Sequence, residues 1–264
     1  KIFLDALATD HYYVKACLDG KTFRYSDFFV GDRPLPHPER EKMLAAWIGG
    51  PNERPNIEMA QEANGIIACL YEYYAAYQPE YADKLAYIPI PIDLSINPFH
   101  PIKSTPEVVK FFIGIQQHRT AIKGTDILLD VLREIHDKYP RESHIQKVVS
   151  VPFDEYNKLL VDCHILLDQL YSYTPATNAL AAMARGIIAV SGAEPEFYNF
   201  IGEQKLRPII NVLPDRNDIF KQLENLIIHR DQLPRLSTES RQFVEKYHDH
   251  VKVARQYLEF WEKH

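Results

Sequence analysis

From Val109 onward, apolar runs of strand length alternate with amphipathic stretches of helix length, and this alternation admits little except a parallel sheet covered by helices. Residues 109–114 read as the first strand and 124–138 as the next helix, with Leu128, Leu129, Leu132 and Ile135 on one face and Thr125 or Asp126 near its start. A second strand is expected at 145–151 and a third at 163–167, with Asp154 capping a short helix between them. Thr174-Pro175 reads as a helix start, a hydroxyl followed by proline at the first helical position, and Gly186 as its left-handed stop. Strands at 187–190 and 207–212 follow, Pro208 confining its own end to a sheet edge, and then helices at 215–228 and from 237 onward.

The first hundred residues are less regular, because aromatic and proline-rich loops interrupt the alternation. Residues 65–70 read as a buried strand, 57–64 as a short helix, and 85–92 as a strand running into a proline-stiffened connection that ends near Pro106. The strands before that connection are too few for a full doubly wound sheet. The chain therefore divides into a partial α/β domain at 1–100, a linker at 101–107, a complete Rossmann-like domain at 108–246, and a C-terminal helix at 247–264 with Val253, Tyr257 and Trp261 as an apolar stripe.

Composition excludes several function classes. A formal net charge of -6 argues against nucleic acid as a main partner, since phosphate binding usually needs a net basic face. Three widely spaced cysteines without a CxxC pair suggest neither a disulfide framework nor a zinc site, and a reducing cytoplasm is the simplest compartment. None of the 11 histidines shows metal-ligand spacing, so no metal is expected. There is no GxSxG, P-loop or full GxGxxG, which weakens hydrolase, NTPase and dehydrogenase readings. No apolar run spans a bilayer, while peripheral attachment to the inner face of a membrane through a basic patch stays open.

The loop after residues 109–114 carries the first candidate site. Gly114, His118, Arg119 and Lys123 stand where the carboxyl ends of parallel strands receive ligands, and two permanent cations there suit a diphosphate. A solvated basic loop is the alternative. A second loop brings Tyr171, Tyr173, Thr174, Thr177 and Asn178 to a helix start, where phosphate or ribose can sit, or where the residues simply cap and pack. Glu194 can offer a carboxylate to sugar hydroxyls or complement a short helix. In the first half, His11 and Asp32 are the acceptor-side polar candidates.

Read together, these blocks resemble the GT-B glycosyltransferases, particularly the family-4 type of bacterial surface-polysaccharide synthesis. Residues 86–93 resemble the family's interdomain "iPnPiD" segment, 119–126 its basic "R…KGtd" loop, and 151–156 its "vpf.eY" turn beside the nucleotide base. Residues 166–170 and 176–186 look like its "aDi…lEAMA.G" donor block. The resemblance implies two Rossmann-like domains and a metal-independent, retaining hexosyltransferase using a nucleotide-diphosphate sugar and a saccharide or lipid-linked acceptor. It also implies a C-terminal helix that returns to the first domain. Arg119 and Lys123 would stabilise charge developing on the diphosphate, while Val151, Pro152, Tyr156, Thr177 and Asn178 would line the donor site and Glu194 would face the sugar. Two family glutamates are replaced by Tyr173 and Ala181, the second being the one that commonly grips the donor ribose. The short first half, opening on Lys1 rather than Met, suggests an N-terminally truncated or divergent copy. A catalytically silent nucleotide-sugar-binding subunit and a GT-B-like epimerase are the alternatives.

Overall fold

A computed structural model describes residues 1–264 except for the side chain of Pro38. The chain forms two compact units, Lys1–Pro91 with His250–His264, and Ile92–Asp249. Residues 101–107, expected as a linker, fall within the second unit, where the Ile102 amide donates to Ser237 Oγ at 3.1 Å.

In the first unit the order is β1 (Phe3–Ala6), α1 (His11–Leu18), β2 (Phe29–Val30), β3 (Arg33–Pro34), α2 (Pro38–Trp47), α3 (Glu53–Glu62), β4 (Gly65–Ala68), α4 (Tyr71–Tyr81) and β5 (Leu85–Tyr87). Strands β1, β4 and β5 pair in parallel in that order, and β2 and β3 make an antiparallel hairpin. Helix α1 starts because Asp10, in an extended conformation, accepts from the Tyr13 amide at 2.9 Å. The strand expected over 85–92 stops at Tyr87, as Pro89 and Pro91 lack the amides to extend a ladder. The helix expected from Ile57 begins earlier, at Glu53.

The second unit runs β6 (Val109–Ile115), α5 (Thr120–Lys123), α6 (Thr125–Lys138), β7 (Ser143–Val149), α7 (Phe153–Leu160), β8 (Ile165–Leu167), α8 (Thr177–Ala184), β9 (Ile188–Ser191), α9 (Pro195–Phe200), β10 (Ile210–Asn211), α10 (Arg216–Ile228) and α11 (Leu233–Tyr247). All five strands are parallel, in the order β10-β9-β8-β6-β7. Strand β6 is covered on both faces, so Phe111, Phe112 and Ile113 are fully buried, each contributing about 1.5–3 kcal/mol. Helix α6 buries Leu128, Val131, Leu132 and Ile135 along one stripe and turns Asp130 and Glu134 outward. Sequence order reverses between β6 and β8, so the crevice at their carboxyl ends is the switch point of the sheet.

Several local expectations are corrected. Helix α8 begins at Thr177 with Ala176 at its N-cap, two residues beyond Pro175, because Thr174 and Pro175 are drawn into the interior. Pro152, not Asp154, occupies the N-cap of α7, and Asp154 sits in its first turn. The fifth strand is reduced to Ile210–Asn211, and α11 begins at Leu233 rather than Ser237. Gly186 does follow α8 at φ +87°, a conformation that an L side chain resists.

Helix α12 (His250–Lys263) belongs to the first unit. Phe260 packs edge-on to Phe3, with ring centroids 5.9 Å apart, and its ring occupies the space a Cβ on Gly65 would need, at 2.6 Å.

Candidate functional site

At the carboxyl ends of β6 and β7 lies a cleft of about 300 Å3. Gly114, Ile115 and Gln116 form one wall where β6 runs out, and Val148, Ser150 and Val151 form another at the end of β7. Lys123, the last residue of α5, stands at its cationic end. Phe153 and Tyr156 enter from α7, and Asn178 from the first turn of α8.

Gly114 is required by close approach, since a Cβ there would meet the Tyr156 ring at 2.5 Å. The Tyr156 hydroxyl donates to Asn178 Oδ1 at 3.0 Å, and Asn178 Nδ2 donates to Asp168 Oδ1 at 2.8 Å. This relay fixes the orientation of the Asn178 amide. Burial pushes the Tyr156 phenol well above its ordinary pKa, so it remains a donor at any physiological pH. Asp168 is buried, and its Oδ2 has no partner among the described residues.

Of the residues singled out from sequence, Gly114, Lys123, Val151, Tyr156 and Asn178 share this cleft. His118, Arg119, Pro152 and Thr177 are exposed and outside its wall, although Arg119 caps α5, whose last residue is Lys123. Tyr171, Tyr173, Thr174 and Glu194 are buried. Burial pushes the Tyr171 phenol up to about 12. Glu194 Oε1 accepts from Asn211 Nδ2 at 2.7 Å, and its amide donates to the Tyr173 carbonyl at 3.1 Å, so the expected sugar-facing carboxylate is engaged inside the protein.

In the first unit, His11 is buried with its Nδ1 2.9 Å from the Trp47 carbonyl. Asp32 is exposed in the turn between β2 and β3. Sequence reasoning missed Ile115, Gln116, Val148, Ser150 and Phe153 as cleft residues, and Asp168 as the anchor of Asn178. Ile115, Val148 and Ser150 carry no chemical signature, so only position in the sheet could have found them, whereas Phe153 and Asp168 lie inside the 151–156 and 166–170 blocks that carry the family resemblance. Among the described residues, no three His, Cys, Asp or Glu side chains converge as a metal site, and no helix is long and apolar enough to cross a membrane.

Taken as a whole the cleft joins an ammonium and a hydrogen-bonded Tyr–Asn pair to an apolar wall, within a sheet of doubly wound order. This fold is shared with GT-B glycosyltransferases. A structure of HepE from Anabaena, solved with UDP and glucose, is 14% identical at a TM-score of 0.58, the match covering 80% of this chain and 66% of that one. A mutant of TarM from S. aureus, solved with fondaparinux, α-GlcNAc-glycerol and UDP, is 13% identical at a TM-score of 0.60, covering 81% of this chain and 47% of that one. Sucrose-phosphate synthase from Thermosynechococcus elongatus is 13% identical at a TM-score of 0.63, covering 99% and 67% respectively. The chain thus spans between about half and two thirds of the length of these structures. No protein-family model and no curated protein matches its sequence.

Proposed function

We propose that the chain is the donor-binding part of a glycosyltransferase that moves a sugar from a nucleoside diphosphate to a saccharide or lipid-linked saccharide hydroxyl. The observation that carries this reading is the meeting of Lys123 with the Tyr156–Asn178 pair in one cleft at the carboxyl ends of β6 and β7. The likeness in fold to proteins solved with UDP supports it.

In the reaction, the bond between the sugar's anomeric carbon and the β-phosphate oxygen breaks while the acceptor oxygen bonds to that carbon. The acceptor proton passes to a base or to solvent, and the diphosphate leaves with one more negative charge. Lys123 is placed to meet that charge as it develops, with Arg119 one turn earlier adding a longer-range cation. The apolar wall of Ile115, Val151 and Phe153 suits the flat face of a base. A metal-independent, retaining hexosyl transfer, a role in bacterial polysaccharide synthesis, and a cytoplasmic location at the inner membrane face follow from the family resemblance as parts of the same proposal.

One observation favours a second reading, a nucleotide-sugar-binding subunit without turnover. The family's two glutamate positions hold Tyr173, which is buried, and Ala181. Isothermal titration with UDP, ADP, GDP and TDP sugars, paired with a turnover assay on saccharide acceptors, separates the two. Binding with turnover, both abolished by Lys123→Ala, supports the transferase, and binding without turnover supports the silent subunit. Absence of binding to every donor refutes both.

A further inference from the structure

Ser150 is the one non-glycine residue with a positive φ among the described residues, at 47°. It follows β7 directly and lines the cleft. A side chain makes this conformation unfavourable, and glycine would adopt it freely. The serine therefore needs a reason to be there, and its hydrogen bonds supply one. Its amide donates to the Ile115 carbonyl at 2.9 Å, and its Oγ accepts from the Gln117 amide at 3.2 Å. One residue thus ties down both the last residue of β6 and the second residue beyond it.

The tie propagates toward Lys123. The Gln116 carbonyl accepts from the Arg119 amide at 2.8 Å, and Thr120 Oγ1 donates to the same carbonyl at 3.2 Å. The Arg119 carbonyl then accepts from the Lys123 amide at 3.0 Å, closing α5. Beyond it, the Lys123 carbonyl accepts from the Leu170 amide at 2.8 Å. The turn that delivers the ammonium to the cleft is held at one end by β8's following loop and at the other by the serine hydroxyl.

We infer that Ser150 is a positioning residue for the cation turn: its hydroxyl fixes the Gln117 amide so that Lys123 is preorganised for a diphosphate. This deepens the donor-binding reading and depends on it. The left-handed backbone is kept despite its conformational cost because the bond to Gln117 requires an oxygen on that Cβ.

Two variants separate positioning from plain structure. Ser150→Gly removes the hydroxyl and relieves the backbone, whereas Ser150→Ala removes the hydroxyl and keeps the strain. Both should weaken binding of the tightest of UDP, ADP, GDP and TDP by about five- to tenfold, the equivalent of one lost hydrogen bond. Their melting temperatures should diverge, Ser150→Gly at or above wild type and Ser150→Ala below it. Lys123→Ala serves as the control for the site itself. If Ser150→Gly binds as tightly as wild type while Lys123→Ala does not, the inference falls and the donor-binding reading stands. Affinities that merely follow the melting temperatures also overturn it, and failure of wild type to bind any of the four diphosphates overturns both.

Discussion

Replacing Gly114 by alanine tests whether the cleft wall is as tightly built as the geometry requires. The new methyl would start 2.5 Å from Tyr156 Cε2 and 3.0 Å from its hydroxyl oxygen, so the ring must move. The ring packs edge-on against Phe112 at a centroid distance of 4.9 Å, in a cluster with Val148, Leu160 and Leu166, which leaves little room for it to retreat. Overpacking of this kind costs about 1–3 kcal/mol, and pulling the hydroxyl from Asn178 adds about 1 kcal/mol. The total of about 2–4 kcal/mol corresponds to a drop in melting temperature of about 5–10 °C for a unit of this size. Differential scanning calorimetry reads it directly. Because one contact causes most of the loss, adding Gly114→Ala to Tyr156→Val should cost little more than Tyr156→Val alone. A Gly114→Ala protein that melts like wild type, or two losses that simply add, would refute the reasoning.

Glu203 is held well below the usual carboxylate range by the Leu206 amide, Lys246, the Tyr247 hydroxyl and the Lys205 amide. Its stabilisation is therefore complete above the unfolded carboxylate pKa and disappears as pH falls through the lower folded value. Glu203→Gln should lower stability at pH 7 and flatten the acid limb below about pH 4.5 in urea titrations at several pH values. Ser237 is fully buried, donating to the Gly186 carbonyl at 2.6 Å and accepting from the Ile102 amide. Ser237→Ala should cost about 1–3 kcal/mol by denaturant titration. Burial pushes the thiols of Cys163 and Cys69 up to about 11 and about 12, and Cys17 is buried with them. Native protein should react with a thiol reagent at pH 7 far more slowly than unfolded protein, and fast native labelling would contradict the packing around them.

The second unit was largely legible in its sequence because parallel strands buried on both faces leave continuous apolar runs, as at Phe111–Ile113, and covering helices leave stripes such as Leu128 to Ile135. The first unit was harder for a physical reason. Strand β1 is only Phe3–Ala6, and α4 has Pro79 inside it and marks its stripe with Tyr73, Tyr77 and Tyr81 rather than aliphatic residues, so it lacks the usual apolar signature of a helix. Within the candidate site, charge and glycine were readable, while conformation was not. Nothing in the letters distinguishes Ser150 at φ 47° from any other serine after a strand, and Thr174-Pro175 looks like a helix start until the interior claims it.

The membership of α12 in the first unit bears on how the molecule is made. Phe3 and Phe260 are neighbours although the whole second unit lies between them in the chain, and Gly65 is shaped to receive the latter's ring. During synthesis β1 and β4 must wait for α12 to emerge before it can pack on them, while residues 92–249, which are made in between, are already free to collapse by themselves. Nascent-chain force measurements should accordingly register the later-encoded unit as the first to fold.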